Sequence, residues 1–212
     1  MKPLFRFFPR YMRSMFLFAS PLWEQSLVMS SLQSSGTERQ QQEKMRMYLL
    51  LRRLMKKRRS SFGMLVVYGW KQQWFKDYAS FPDATQNVFH EKAYQLEKHS
   101  SEHTLELLMQ LSHFDGAVLI SQQGILIASG VYLENMKPKE VAQEIASGKA
   151  DDLSDAFGFA RKVHARHLAG IACSYRLQGT TVYIISEEQR ILRILENGKI
   201  IYSSLSGEVR SD

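Results

Sequence analysis

The sequence predicts an α/β (α+β) fold in which a mixed, partly antiparallel central β-sheet is flanked by helices. Short apolar runs alternate with stretches of helical periodicity along most of the chain. Apolar runs at residues 118–120 and 125–127 flank the turn residues 122–124 and predict a hairpin in the middle of the chain. A second hairpin is predicted across Asn197 and Gly198, because Asn-Gly is the strongest short hairpin signal.

The remaining elements follow from the same two periodicities. Residues 43–59 repeat apolar side chains at three- and four-residue spacing, and the β-branched run at residues 180–186 is typical of a strand. The full prediction comprises helices at residues 43–59, 101–112, 137–149 and 151–168, and strands at residues 63–69, 180–186, 191–195 and 199–202.

The 212-residue chain has an ordinary globular composition, with 44% apolar and 23% charged residues. Its net charge of +7 and pI of about 9.5 suggest a polyanionic partner, such as nucleic acid, an anionic membrane surface or nucleotide phosphates. The basic excess lies mainly in the leading third, whereas acids and bases nearly balance from Glu91 onward. The single cysteine, Cys173, excludes an intramolecular disulfide and a thiolate metal cluster.

We predict a basic, apolar tail with a polar linker at residues 1–42, one domain at residues 43–205, and a frayed C-terminus at residues 206–212. Residues 1–23 contain no acid, and arginines interrupt every run long enough to span a membrane. This segment is open to three interpretations: a membrane-surface segment, a targeting peptide or a peripheral tail. Residues 30–42 are polar and low in complexity, which is typical of a linker. The expected location is the cytoplasm, with peripheral membrane contact through the tail as an alternative.

The first candidate site residue is Asp115, at the start of the central hairpin, followed by Gly116 and Ala117. A carboxylate, a residue without a side chain and then a minimal side chain leave the backbone open to close approach by a ligand. The same residues are also typical of a plain turn. The sequence contains no GxxxxGK[ST], His-Glu-x-x-His or Gly-x-Ser-x-Gly motif, so the common NTPase, zinc-protease and hydrolase families lack support.

Four short motifs, in this order and in these predicted elements, resemble the diadenylate cyclase (DAC) domain family, which condenses two ATP molecules into cyclic di-AMP. Asp115-Gly116-Ala117 matches the family's Asp-Gly-Ala motif at a strand start. Arg166-His167 matches its Arg-His pair at the opening of a helix. Tyr132-Leu133 ends the second hairpin strand, and Ser186-Glu187-Glu188 closes the next buried strand, as in family members. The resemblance covers about residues 45–205.

The resemblance implies a DAC-like fold, diadenylate cyclase activity, ATP as substrate and Mg²⁺ or Mn²⁺ as cofactor. It also implies a homodimer or higher homo-oligomer, because a domain that holds one ATP needs a second site facing it. Nucleic acid is not expected as a partner. By the same resemblance the catalytic residues are Asp115, Gly116, Ala117, Arg166 and His167, the ATP-binding residues are Tyr132, Leu133, Ser186 and Glu187, and the metal ligands are Asp115 and Glu188.

The chain departs from the family pattern beside the Arg-His pair. Leu168 stands where many members have a second arginine, and His164-Ala165 stands where a Gly-Thr pair is usual. These departures motivate an alternative, a catalytically weakened nucleotide-binding module of the same fold. A third hypothesis, nucleic-acid binding through the basic N-terminal third, ranks last because nothing in the sequence resembles the DNA-binding helices of some family members.

Overall fold

The computed structural model describes residues 21–32, 36–82, 85, 87, 89, 93–146 and 152–209. Its helices are α1 (Leu22–Leu32), α2 (Glu38–Lys57), α3 (Phe75–Tyr78), α4 (Ser101–Leu111), α5 (Pro138–Ala146), α6 (Leu153–Ala156) and α7 (Ala165–Arg176). Its strands are β1 (Met64–Trp70), β2 (Ala79–Ser80), β3 (Tyr94–Gln95), β4 (Ala117–Ser121), β5 (Ile125–Leu133), β6 (Thr181–Ile185), β7 (Leu192–Glu196) and β8 (Lys199–Ser203). Short 3₁₀ turns at Gln72–Trp74 and Leu96–Lys98 precede α3 and α4.

The strands form one eight-stranded sheet in the order β2-β5-β4-β1-β6-β7-β8, and β3 also pairs with β5. β1 and β4 run parallel, whereas the other described pairs are antiparallel. Both predicted hairpins are present, and Asn197 and Gly198 take the positive φ angles, 51° and 73°, that a tight two-residue hairpin turn requires. The predicted fold class, a mixed sheet flanked by helices, is confirmed.

Helices cover both faces of the sheet. Since successive residues of a strand point to opposite faces, each central strand contributes side chains to two cores. Along the central strand β1, Val66 and Tyr68 belong to the core formed with α1, α2 and α4. Leu65 and Val67 belong to the core formed with α5 and α7. All seven residues of β1 are buried, as expected for a strand that is covered on both faces.

The predicted linker at residues 30–42 is wrong over the residues that the structure describes. Ser30 lies within α1, and α2 begins at Glu38 instead of residue 43. A capping box starts α2, since the Thr37 hydroxyl accepts from Gln40 N–H (3.3 Å) and Gln40 Oε1 accepts from Thr37 N–H (2.9 Å). Gln, Glu and Arg favour helices, so a polar, low-complexity stretch can still be helical. The domain limits at residues 42 and 205 stay predictions.

α1 packs against α2 and β8 through a buried carboxylate. Glu24 in α1 accepts from Arg52 of α2 (3.2 Å) and from the hydroxyl of Tyr202 in β8.

No helix in the described part of the chain is both long enough and apolar enough to cross a membrane. Residues 1–20 lie outside the described residues, so peripheral membrane contact through residues 1–23 stays a prediction. α1 exposes three large apolar side chains, Leu22, Trp23 and Leu27.

The single helix predicted at residues 151–168 is wrong, because two separate helices, α6 and α7, are joined here by an irregular segment at residues 157–164. α6 ends where Gly158 takes a left-handed φ of 76° and Phe159 N–H donates to the Ser154 carbonyl (2.9 Å). This arrangement is a common helix C-terminus. Arg166 and His167 therefore lie in the first turn of α7 and not near the end of a longer helix.

The helix predicted at residues 137–149 is present as α5, and residues 147–149 lie outside the described residues. The C-terminus predicted to fray from residue 206 packs against the domain at Glu208, which is buried against Arg193, whereas Val209 is exposed. Residues 210–212 lie outside the described residues.

Candidate active site

The ends of four strands meet at one edge of the sheet. The parallel strands β1 and β4 begin at this edge. The antiparallel strands β5 and β6 end there. The last residues of β5 pair with the first residues of β4, and the last residues of β6 pair with the first residues of β1. The sheet therefore brings together three of the predicted site positions, Asp115, Tyr132 and Ser186.

Asp115 and Arg166, 51 residues apart in sequence, are in contact at this edge. Arg166 Nη2 lies 3.3 Å from Asp115 Oδ1, and the same oxygen accepts from the N–H of Gly116 (2.8 Å). The side chain of Asp115 is 69% exposed, so a ligand can reach its carboxylate. The opening of α7 is thereby held against the start of β4.

Arg166 lies between two carboxylates and over a glycine. Its Nη1 is 4.0 Å from Glu187 Oε2, whereas Nη2 makes the Asp115 contact. A Cβ built at Gly63, just before β1, would overlap the guanidinium. The sequence indicates Gly63 only as a strand boundary. Its contact with the Arg166 guanidinium joins residues that are far apart in the sequence, so no local pattern reveals it.

The first turn of α7 is open to an anion. His164 is the residue before the helix, and its side chain makes no capping hydrogen bond. Its exposed Nε2 instead lies 3.4 Å from Glu188 Oε1. The positive dipole end of a twelve-residue helix favours phosphate, and Arg166 adds a full positive charge at the same point.

Gly116 and Ala117 serve the fold more directly than the predicted site. Gly116 has a φ of 93°, and a Cβ there would come within 2.7 Å of the Gly130 carbonyl carbon and 2.8 Å of Val131 N. The close approach is therefore to β5, whereas the sequence suggested an approach to a ligand. Ala117 is fully buried in the core on the α7 face.

His167 faces the interior, whereas Arg166 faces the exposed edge. The ring is buried, and its Nε2 lies 3.1 Å from Nη1 of Arg193 in β7. Burial, together with the positive charges of Arg193 and Arg166, lowers the pKa of His167 from 6.5 to about 4. Because arginine can only donate, Nε2 accepts and the neutral ring carries its proton on Nδ1. The structure therefore does not place the His167 ring beside Asp115 and Arg166 at the exposed edge.

Tyr132 is exposed at the same edge, and an aromatic pair lies beside it. Tyr132 pairs with Ser80 of β2. The next residue, Phe81, is also exposed and stacks on Phe75 at a centroid distance of 5.7 Å. Phe81 was not among the predicted site residues, because the two-residue strand before it is too short for a sequence pattern to reveal. Leu133, by contrast, packs against the core on the α7 face.

Ser186 is largely committed to its own turn. The residue is buried, and its hydroxyl accepts from Gln189 N–H (3.4 Å) while its backbone pairs with Ile191 (2.9 Å). Glu187 and Glu188 follow it and are exposed. Of this predicted motif, the two glutamates are the residues that a ligand can reach.

The carboxylates of the edge suit a cation that arrives with phosphate. Within the described residues, no three His, Cys, Asp or Glu side chains are grouped closely enough to hold a metal ion by themselves. Mg²⁺ is usually bound by one or two carboxylates together with substrate phosphates and water, and Asp115 and Glu187 are exposed carboxylates beside Arg166. The residues therefore fit a nucleotide-borne divalent cation and do not form an all-protein cage.

The buried neutral His167 predicts a loss of stability in acid. Its pKa is about 4 in the folded chain, against 6.5 for a free histidine, so the folded state resists protonation. This contribution is fully present above pH 6.5 and is lost as the pH falls toward 4. We expect the free energy of unfolding to drop by about 2 kcal/mol more between pH 7 and pH 5 in the native chain than in His167→Gln. Equal losses in urea titrations of both proteins would contradict a buried neutral ring.

Comparison with known proteins gives one family. The family model described as DisA bacterial checkpoint controller nucleotide-binding (DAC) matches residues 53–200. No curated protein matches the chain. A solved hypothetical membrane spanning protein from Bacillus cereus is 19% identical with a TM-score of 0.46, over 75% of this chain and 62% of its own length. DacA from Staphylococcus aureus, solved as a double mutant, is 19% identical with a TM-score of 0.41, over 89% of this chain and 92% of its own. The chain thus spans less than two thirds of the Bacillus cereus protein.

Proposed function

Because the chain belongs to the DAC family of nucleotide-binding domains, we propose that it is a diadenylate cyclase that condenses two ATP molecules into cyclic di-AMP. The observation that carries the proposal is the contact between Asp115 and Arg166 at the open end of α7. It joins a carboxylate, a guanidinium and a helix N-terminus, which are the groups that handle a metal-bound triphosphate.

The proposed reaction forms two phosphodiester bonds. The 3′-hydroxyl of each ATP attacks the α-phosphorus of the other, the bond from that phosphorus to the β-phosphate oxygen breaks, and two pyrophosphates and two protons are released. Little covalent chemistry falls to the protein, which has to align the nucleotides and stabilise charge on the phosphates.

Arg166 is the proposed phosphate clamp. Its guanidinium fork can bind two phosphate oxygens at once, and it contacts the carboxylates of Asp115 and Glu187. When phosphate replaces these carboxylates, Asp115 becomes free to orient the attacking hydroxyl or to bind the cation. Glu187 and Glu188 supply further negative charge next to the cation.

Asp115, with Glu187 or Glu188, would hold Mg²⁺ or Mn²⁺ together with the phosphates. A bound divalent cation neutralises charge on the phosphates and makes pyrophosphate a better leaving group. Tyr132 and Phe81 are exposed aromatic rings at the edge and are proposed to contact adenine.

The reaction needs two sites that face each other, so we propose a two-fold homodimer as the active form. Each copy would present one ATP from the sheet edge that carries Asp115. Specific activity should therefore fall when the protein is diluted below the dimer dissociation constant.

Leu168 favours one alternative, a nucleotide-binding module with weakened catalysis. Its side chain packs against the core on the α7 face, in the position where many family members have a second cation. The phosphates would then be held by fewer positive charges than in such members.

Product identification separates these two functions. Purified full-length protein is incubated with ATP and either Mg²⁺ or Mn²⁺, and the nucleotides are resolved by chromatography and mass spectrometry. Cyclic di-AMP and pyrophosphate in a 1:2 ratio support the cyclase. ATP binding without product, in either metal, would overturn it in favour of the binding module.

Gly63→Ala is expected to weaken ATP use without disturbing the fold. The added methyl group would displace the guanidinium of Arg166, which can move because it is the end of a flexible side chain. We expect kcat/KM for ATP to fall about fivefold, as for one weakened charge-assisted hydrogen bond. The matched control is the same change in an Arg166→Met background, where it should have no further effect. An equal effect in both backgrounds would show that Gly63 acts independently of Arg166.

The cytoplasmic location and the membrane contact of residues 1–23 stay predictions, and fractionation of cells that express the full chain would test both.

A further inference from the structure

Three polar side chains are buried together directly behind the first turn of α7. Arg193 of β7 donates to Glu208 through two parallel hydrogen bonds, Nε to Oε2 and Nη2 to Oε1, each 2.7 Å long. Its remaining nitrogen, Nη1, reaches Nε2 of His167 at 3.1 Å. Arg193 and Glu208 are almost completely buried, at 1% and 0% side-chain exposure. A fully buried ion pair is expensive to desolvate, and its hydrogen bonds here satisfy both partners.

Glu208 also holds the segment that leads into α7. Its Oε1 accepts from the N–H of Ala160 (3.1 Å), and its Oε2 accepts from the hydroxyl of Ser203. The ring of Phe159 lies over the Arg193 guanidinium at 5.3 Å and edge-on to His167 at 5.9 Å. Glu208 therefore contacts the irregular segment at residues 157–164 directly, and it is linked to the first turn of α7 through Arg193.

The charges of this cluster are well defined. Burial alone would raise the pKa of the Glu208 carboxyl, but hydrogen bonds from Arg193 and Ser203 outweigh burial and hold the pKa below its usual value. The carboxylate is therefore ionised at neutral pH and faces the Arg193 guanidinium. His167 stays neutral and accepts from Arg193, so the three groups are arranged in one order, carboxylate, guanidinium and imidazole.

We propose that Glu208 and Arg193 are positioning residues, which hold the first turn of α7 through His167 so that Arg166 lies against Asp115. This inference rests on the proposed function, because it assigns the cluster to the placement of the phosphate clamp. The residue next to His167 in sequence is Arg166, whose Nη2 lies 3.3 Å from Asp115 Oδ1. A shift of the buried ring would move the clamp directly.

A second buried ion pair on the same strand provides a matched control. Lys44 Nζ lies 2.9 Å from Oε1 of Glu196, and both side chains are 5% exposed. Glu196 is at the opposite end of β7 from the residue that pairs with Ile185 at the candidate edge. Glu196→Gln thus removes a similar buried charge from β7 at a distance from the clamp.

The test compares Glu208→Gln with Glu196→Gln in the full chain. We expect Glu208→Gln to lower kcat at least about tenfold while KM for ATP changes less than about threefold, because the clamp is misaligned in the transition state. Glu196→Gln should retain kcat within about twofold even if both variants lose thermal stability. Equal losses of kcat in the two variants, or none in Glu208→Gln, would overturn the positioning role.

Hydrogen exchange reports on the same claim without any turnover. The N–H groups of His167 and Leu168 both donate to the His164 carbonyl, at 3.0 and 3.2 Å. Their exchange should accelerate at least about tenfold in Glu208→Gln and not in Glu196→Gln. If the native chain forms no cyclic di-AMP, the proposed function fails, and this measurement still decides whether Glu208 positions the turn.

Arg193→Lys keeps the test decisive if Glu208→Gln does not fold. Lysine retains the charge opposite Glu208 but has no planar fork with which to reach His167 as well. The same loss of kcat and of His167 protection is expected, with a smaller loss of stability. Native kcat and native protection in Arg193→Lys would contradict the proposal.

Discussion

Asp115→Asn is expected to lower the rate of cyclic di-AMP formation by at least about a hundredfold, the typical cost of removing one preorganised electrostatic group. The amide has no negative charge with which to bind a divalent cation or orient the 3′-hydroxyl. The fold should be unaffected, because the side chain is 69% exposed and an amide oxygen can still accept from Gly116 N–H. Initial rates with saturating ATP and Mn²⁺ or Mg²⁺ measure the effect.

The matched control is Asp77→Asn, which removes one exposed carboxylate from another part of the chain. It should leave both the rate and the thermal midpoint unchanged. A rate for Asp115→Asn within about threefold of that of Asp77→Asn would show that Asp115 is only a turn residue.

The second large effect is expected for Arg166→Met. Methionine keeps most of the length of the side chain but removes the fork that would hold two phosphate oxygens. We expect kcat/KM to fall by at least about a hundredfold. Arg166→Lys should recover part of this loss, since it restores the charge without the bidentate geometry.

Arg161→Met is the control for overall charge, because Arg161 is an exposed cation in the segment that precedes α7. Removing it should change kcat/KM by no more than about twofold. Similar losses in the Arg161 and Arg166 variants would mean that the edge attracts ATP by its general field and that Arg166 has no specific contact.

Local signals in the sequence predicted both hairpins and three of the helices, α2, α4 and α5, but not α1 or α3. Asn197 and Gly198 take the backbone angles that their residue types favour, so the β7–β8 turn depends on little else. Gly158 is an equally local signal for the end of α6, although the apolar periodicity around it predicts a continuous helix. Thr37 and Gln40 likewise form a capping box that their spacing could have indicated.

The candidate site was only partly predictable, because its contacts are long-range. Short motifs identified Asp115 and Arg166, but no local pattern reveals that they touch or that Gly63 lies beneath the guanidinium. The burial of His167 depends on Arg193 and Glu208, which are distant in sequence. The Arg166-His167 motif thus indicates a helix start, as the structure has it in α7. Which of the two side chains is buried depends on the packing of β7 and the C-terminal segment.

We propose that ATP binds at the edge formed by Asp115, Arg166 and the start of α7. A crystal structure of the chain with Mg²⁺ and 3′-deoxy-ATP, which lacks the attacking hydroxyl, would locate the nucleotide. We expect the triphosphate between Asp115 and Arg166, with the same edge of a second copy facing it. A nucleotide bound elsewhere, for example on the cationic surface of Arg52, Lys56, Arg59 and Arg190, would contradict it.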